Sequence, residues 1–106
     1  MNEVIVNEAN LKNNHIYLNE IYSIFPAEAI GGNNASSKGK ELEIRYICDG
    51  KTKKFMTDIA GDKKIFRKRG KLSGTGMLLS DLDVKAGDIL KFKKIDKYVF
   101  EICVVV

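Results

Sequence analysis

Leu42, Ile44, Tyr46 and Cys48 alternate with Glu43, Arg45 and Ile47, and the dipeptide Asp49-Gly50 follows at once. A period of two puts one set of side chains on a buried face and the other on an exposed one, which is the pattern of a half-buried strand. Asp-Gly suits a two-residue hairpin turn, so residues 51–57 are predicted to return as the antiparallel partner. Such a hairpin must cover its apolar face with further strands. The chain supplies them: Leu90 and Phe92 alternate with Lys91 and Lys93 after the turn Ala86-Gly87-Asp88, and Tyr98, Phe100, Ile102 and Val104 share a face after Asp96-Lys97. The apolar run that ends the chain, residues 102–106, would invite edge-to-edge pairing if exposed, so this last strand is expected to be central or covered.

Helical signals are fewer. Leu18, Ile21, Tyr22 and Phe25 recur at the spacing of one helical face, Asn13 or Asn14 can cap the start and Pro26 ends the run, which predicts a helix over 15–25. Met77, Leu78, Leu79 and Leu82 suggest one or two further turns, and the first dozen residues read as a short edge strand or an arm. Residues 31–39 and 72–76 are polar and rich in glycine, as in loops. Short antiparallel strands with separated helices argue for a small, partly closed β-barrel rather than a parallel α/β sheet. At 106 residues the chain is expected to form one domain. Cys48 and Cys103, both in β-branched surroundings, are expected to be buried reduced thiols. No apolar run reaches the roughly 18 residues of a membrane span and the opening lacks a signal peptide, so a cytoplasmic protein is expected.

Charge is distributed unevenly. Nine of the eighteen Lys and Arg side chains fall in residues 51–71 with only two of the fourteen acids, giving this window +7 and the remainder −3. Such a field attracts a polyanion without saying which one. The catalytic inventory beside it is thin. His15, the single histidine, sits at a predicted helix start and would carry any Cys/His or histidine-metal chemistry alone. Asp58, Asp62 and Lys64 loosely resemble the acids and lysine of metal-dependent nucleases, but two acids four apart among nine basic groups are more simply turn formers and partners for Lys63, Arg67 or the backbone. Gly31-Gly32 and Gly74-Thr75-Gly76 lack the strand, glycine loop, lysine and helix order of a nucleotide cradle. No catalytic residue, metal or cofactor is therefore assigned.

Nucleic-acid binding fits the residue types better. Lys38, Lys63, Lys64, Lys68 and Lys71 offer sequence-independent attraction to phosphates, Arg67 and Arg69 carry planar forks that match a guanine edge, and Asn33 and Asn34 can pair with adenine. Plainer roles stand beside these: a solvated strand face for Lys51, Lys53 and Lys54, turn formation for the asparagines, and a structural salt bridge for either arginine.

Several motifs follow one another in a known order. These are Phe25-Pro26, Ala29-Ile30-Gly31-Gly32, a polar loop, a hairpin into Thr57-Asp58-Ile59, the run from Asp62 to Arg69, and Val84-Lys85-Ala86-Gly87-Asp88 before paired strands. Over residues 15–104 this order resembles the DNA-binding pseudobarrel of plant B-three transcription-factor domains and of the recognition domains of EcoRII-type and BfiI-type restriction endonucleases. The chain has no tryptophan, unlike the plant domains, and is more similar to the restriction branch. The resemblance implies a mainly β, open seven-stranded pseudobarrel with two short helices, and two arms, here 29–38 and 57–71, that grip the major groove of double-stranded DNA. It also implies the specificity module of a restriction system, with any nuclease on another domain or protein. A non-specific binder of single-stranded nucleic acid, a metal-dependent nuclease and a protein-interaction barrel remain open alternatives.

Overall fold

The computed structural model describes residues 2–32, 35–68 and 73–105, with the side chain of Ala35 left aside. It is mainly β: eight strands lie in two mixed sheets. In chain order they are β1 (Glu3–Ile5), β2 (Ile30–Gly31), β3 (Leu42–Cys48), β4 (Lys51–Thr57), β5 (Ile59–Ala60), β6 (Ile65–Phe66), β7 (Ile89–Asp96) and β8 (Val99–Val105). The larger sheet has the order β1-β7-β8-β3-β4, antiparallel except for the β3–β8 pair, and the smaller has the order β2-β5-β6. No described helix is long and apolar enough to cross a membrane.

The β3–β4 hairpin forms in the register that the alternation demands, from Leu42 opposite Thr57 to Cys48 opposite Lys51. Asp49 and Gly50 both take positive φ, 52° and 75°, as a type I′ turn requires. Strand β8 is central in the order, between β7 and β3, as the hazard of an open edge predicts, but β3 pairs only with its residues 99–101, so residues 102–105 of the apolar run pair with β7 alone. Leu42, Ile44, Tyr46, Leu90, Phe92, Phe100 and Ile102 bury one face of this sheet. Phe25 packs among Phe66, Phe92 and Phe100, its ring 4.7 Å from that of Phe100. The same alternation that points Ile102 inward turns Cys103 outward. Both cysteines are free, but Cys103 is exposed and Cys48 half-buried, which corrects the expectation of buried thiols.

The first helix differs from the sequence reading, whereas the turns expected around residues 77–82 are present as a second helix. Helix α1 covers Glu8–Asn13, before the predicted position, and residues Asn19–Ile24 form a 3-10 helix. Asn7 caps α1 through a reciprocal box with Asn10, and Asn14 closes its C-terminal end in the left-handed conformation (φ 55°). Asparagine thus supplies both ends of a helix that has little apolar periodicity of its own. Helix α2 covers Gly74–Asp81, with Ser73 as its N-cap. Its two glycines are there for packing: a Cβ at Gly74 would run into the Phe55 ring, and one at Gly76 would press on Asn14.

Candidate nucleic-acid interface

Strands β5 and β6 fold back through residues 61–64 into a short hairpin, with Ile59 opposite Phe66 and Ala60 opposite Ile65. The ladder continues one step outward, where Arg67 N–H donates to the Asp58 carbonyl at 2.9 Å. Asp58 and Arg67 are therefore cross-strand neighbours, and their side chains meet in the interior. Arg67 donates from Nε to Asp58 Oδ1 at 2.8 Å and from Nη2 to Oδ2 at 3.1 Å. Nη2 also reaches the Gly32 carbonyl at 2.8 Å, and Gly39 N–H donates to Asp58 Oδ2 at 2.7 Å. The Asp58 side chain has no exposure and that of Arg67 only 9%. A bidentate pair so desolvated, with its carboxylate further met by a backbone amide, is a structural fixture.

That pair joins the two segments expected to be arms. Gly32 and Gly39 bracket the first loop, Asp58 and Arg67 bracket the hairpin of the second, and close backbone approaches seal the join. A Cβ at Gly31 would lie 2.7 Å from Asp58 Oδ2 and closer still to Gly39 N and Ser37 O, and one at Gly39 would overlap the Ala29 carbonyl. Gly61 N–H donates to the Gly31 carbonyl at 3.0 Å, and Lys40 N–H to that of Glu28 at 2.7 Å. Thr57 Oγ1, itself buried, sits 2.9 Å from the carbonyl oxygens of both Asp58 and Arg67.

The site residues foreseen in the sequence fare differently. Lys38, Lys63, Lys64 and Lys68 are exposed, on the faces of the two segments that point away from the core. Lys64, at φ 55° in the hairpin turn, lies over the Tyr22 ring at 5.4 Å. Arg67 is a correction: the fork expected to read a base is committed to Asp58 and Gly32, so the structural salt bridge is its role. Asn33, Asn34, Arg69 and Lys71 lie outside the described residues. The strand lysines are partly engaged, Lys53 with Asp81 at 3.1 Å and Lys54 with Glu43 at 3.6 Å. Asp81 also accepts from Tyr46 Oη at 2.7 Å, and these two donors, Tyr46 first, hold its carboxyl below the usual range.

The sequence reading did not foresee which other residues stand beside the basic segment. Asn13, Asn14 and His15, at the end of α1, face Lys63, Lys68 and Ser73 across a cleft of about 310 Å³. On the opposite flank Glu28 accepts from Tyr98 Oη at 2.7 Å and pairs with Lys97 at 2.9 Å, while Lys40 stands over the Tyr98 ring at 4.5 Å. The Lys97 bond, then that of Tyr98, lowers the Glu28 carboxyl from 4.5 to about 2. This cluster ties the root of the first loop to the β7–β8 turn. No family model matches the chain, and neither a curated protein nor a solved structure matches it.

Proposed function

We propose that the chain is a sequence-specific double-stranded DNA-binding domain that presents two segments, 29–38 and 57–71, to the major groove. The observation that carries this reading is the Asp58–Arg67 join: it fixes an Asn-, Ser- and Gly-rich loop beside a lysine-rich hairpin and leaves their lysines turned to solvent. Rigid roots make it possible for two short segments to act together on one duplex, because little ordering entropy is then lost on binding. In this reading Lys38, Lys63, Lys64, Lys68 and Lys71 hold phosphates, and Asn33, Asn34 and Arg69 read bases. Arg67 acts behind them as a positioning residue.

The finer architecture, an open pseudobarrel, belongs to the same proposal. Its support is the passage from β4 to β5, where Asp58 alone separates strands of the two sheets. The place of the domain as the specificity module of a restriction system, with cleavage supplied elsewhere, rests on the resemblance of its motifs. Binding of single strands is the weaker reading. It relies on exposed aromatic platforms, whereas Tyr46 and Phe66 are core residues, Phe55 and Tyr98 are half-buried, and Tyr17 is the one exposed aromatic ring among the described residues.

Selection from a random duplex library at physiological salt tests the proposal. The expected result is an enriched motif, with single-stranded competitors at least tenfold poorer. Recovery of no motif, or equal competition by single strands, would overturn it.

A further inference from the structure

The cleft at the end of α1 adjoins a second one of about 400 Å³, and the two share Asn14, Lys68 and Ser73. Together they make a trough between the α1 terminus, the 61–64 turn and the start of α2. The polar residues that line its first half are mostly donors or cations, Lys63, Lys68, Arg67, Asn13, Asn14 and His15, with Asp62 as the one acid. Lys63 and Lys68 make no ion pair with another described residue.

We propose that this trough seats a phosphate group of the DNA backbone, with His15 as a further contact that takes up a proton as the phosphate arrives. The inference deepens the DNA-binding reading and rests on it. A phosphate diester fits because the trough gathers several donors and two fixed positive charges, and because it continues past Lys68 toward α2, as a track for a strand would. The proton uptake follows from what surrounds the imidazole. Lys63 and Asp62 face it from the turn, and Lys68 and Arg67 from the second segment, the latter already turned to Asp58. Tyr17 packs edge-on with ring centroids 6.0 Å apart, and α2 contributes neutral Ser73 here, its Asp81 lining the farther half. Burial, and after it the charge of Lys63, keep His15 below its ordinary value of 6.5, hence neutral at pH 7. An anionic oxygen placed between Lys63 and the ring reverses the second effect, since a close opposite charge favours the charged form by about 1–3 pH units.

His15 is the single histidine of the chain, so its ring resonances report on this site without assignment ambiguity. The experiment is an NMR titration of His15 in the whole chain, alone, with the selected duplex, and with inorganic phosphate. The expected midpoint lies below 6.5 alone and moves up by about 1–3 pH units with duplex. Duplex affinity should then rise between pH 7.5 and 5.5, by about 3-fold to 50-fold across that range of midpoint shifts, and lose most of that dependence in His15→Gln. Duplex that binds while the His15 midpoint stays put would overturn the trough and leave the DNA reading intact. A midpoint moved by inorganic phosphate but not by bound duplex would make it a free-anion site and overturn it equally. Absence of duplex binding even at low salt would remove both.

Discussion

A carboxylate taken wholly out of water costs several kcal/mol unless charge and hydrogen bonds compensate, and Asp58 has both from Arg67 and Gly39. The consequence is asymmetric. Arg67→Ala takes the bidentate guanidinium away from a buried carboxylate, and Asp58→Ala takes the carboxylate away from a buried guanidinium, so each is expected to lower stability by about 3–5 kcal/mol. The double variant should lose less than the two single losses together, a coupling that urea denaturation of all four proteins measures directly. Base readout by Arg67 predicts something else, a variant as stable as wild type with relaxed sequence preference. The location of Arg67 was legible in principle: hairpin pairing of Ile59 with Phe66 places Asp58 opposite Arg67. Linear charge counting hid it, because a lone acid in a basic run looks the same whether it is solvated or buried.

At the level of elements, the long strands and helix α2 could be read, whereas helix α1 and the short strands β2, β5 and β6 could not. The β3–β4, β7 and β8 alternations have faces that differ sharply in polarity, so period alone sets their register. Helix α1 is made of Glu, Ala, Asn, Leu and Lys with one apolar stripe too short to show a period, and caps specify it instead. Glycines mark the first segment as a loop in the sequence, yet Gly31 and Gly39 are where backbones touch. Gly31→Ala is therefore expected to destabilise by about 1–3 kcal/mol, the range for forcing a methyl into filled space, and to weaken duplex binding by unseating the loop. Thermal melting paired with a binding isotherm checks both effects. The opposite flank of that loop depends on acid. Because the Glu28 carboxyl is depressed to about 2 in the folded chain from an ordinary 4.5, its bonds to Lys97 and Tyr98 contribute fully above 4.5. The contribution fades as pH falls through that window. Urea midpoints of wild type and Glu28→Gln should differ at pH 6 and converge near pH 2, and a constant difference would exclude Glu28 as the source.

For the molecule as a whole, charge separation and topology act together. A window of +7 in a chain of +4 leaves the remaining surface net acidic, so a polyanion is attracted to one side and repelled weakly from the rest. The two sheets meet where Asp58 links β4 to β5, which places the basic hairpin at the junction rather than on the broad face of the larger sheet. That outer face is nearly self-neutralising: the register sets Lys93 opposite Glu101 and Glu101 beside Arg45, while Glu43 pairs with Arg45 and Lys54. Duplex binding should then depend on the lysines of the two segments and little on those of β7. If Lys38, Lys63, Lys64, Lys68 and Lys71 each neutralise one phosphate, the slope of log K against log salt is about −4 to −5, and affinity falls about 10²–10³-fold between 50 and 200 mM salt. Removing any one of the five should make the slope shallower by about one and weaken all sequences alike, with stability unchanged within about 0.5 kcal/mol except at Lys64, where the contact with the Tyr22 ring is lost as well. Lys91→Ala and Lys93→Ala should leave the slope as it is. Fluorescence anisotropy across salt concentrations separates the two sets, and equal effects from β7 and the hairpin would mean that the polyanion meets the broad sheet instead.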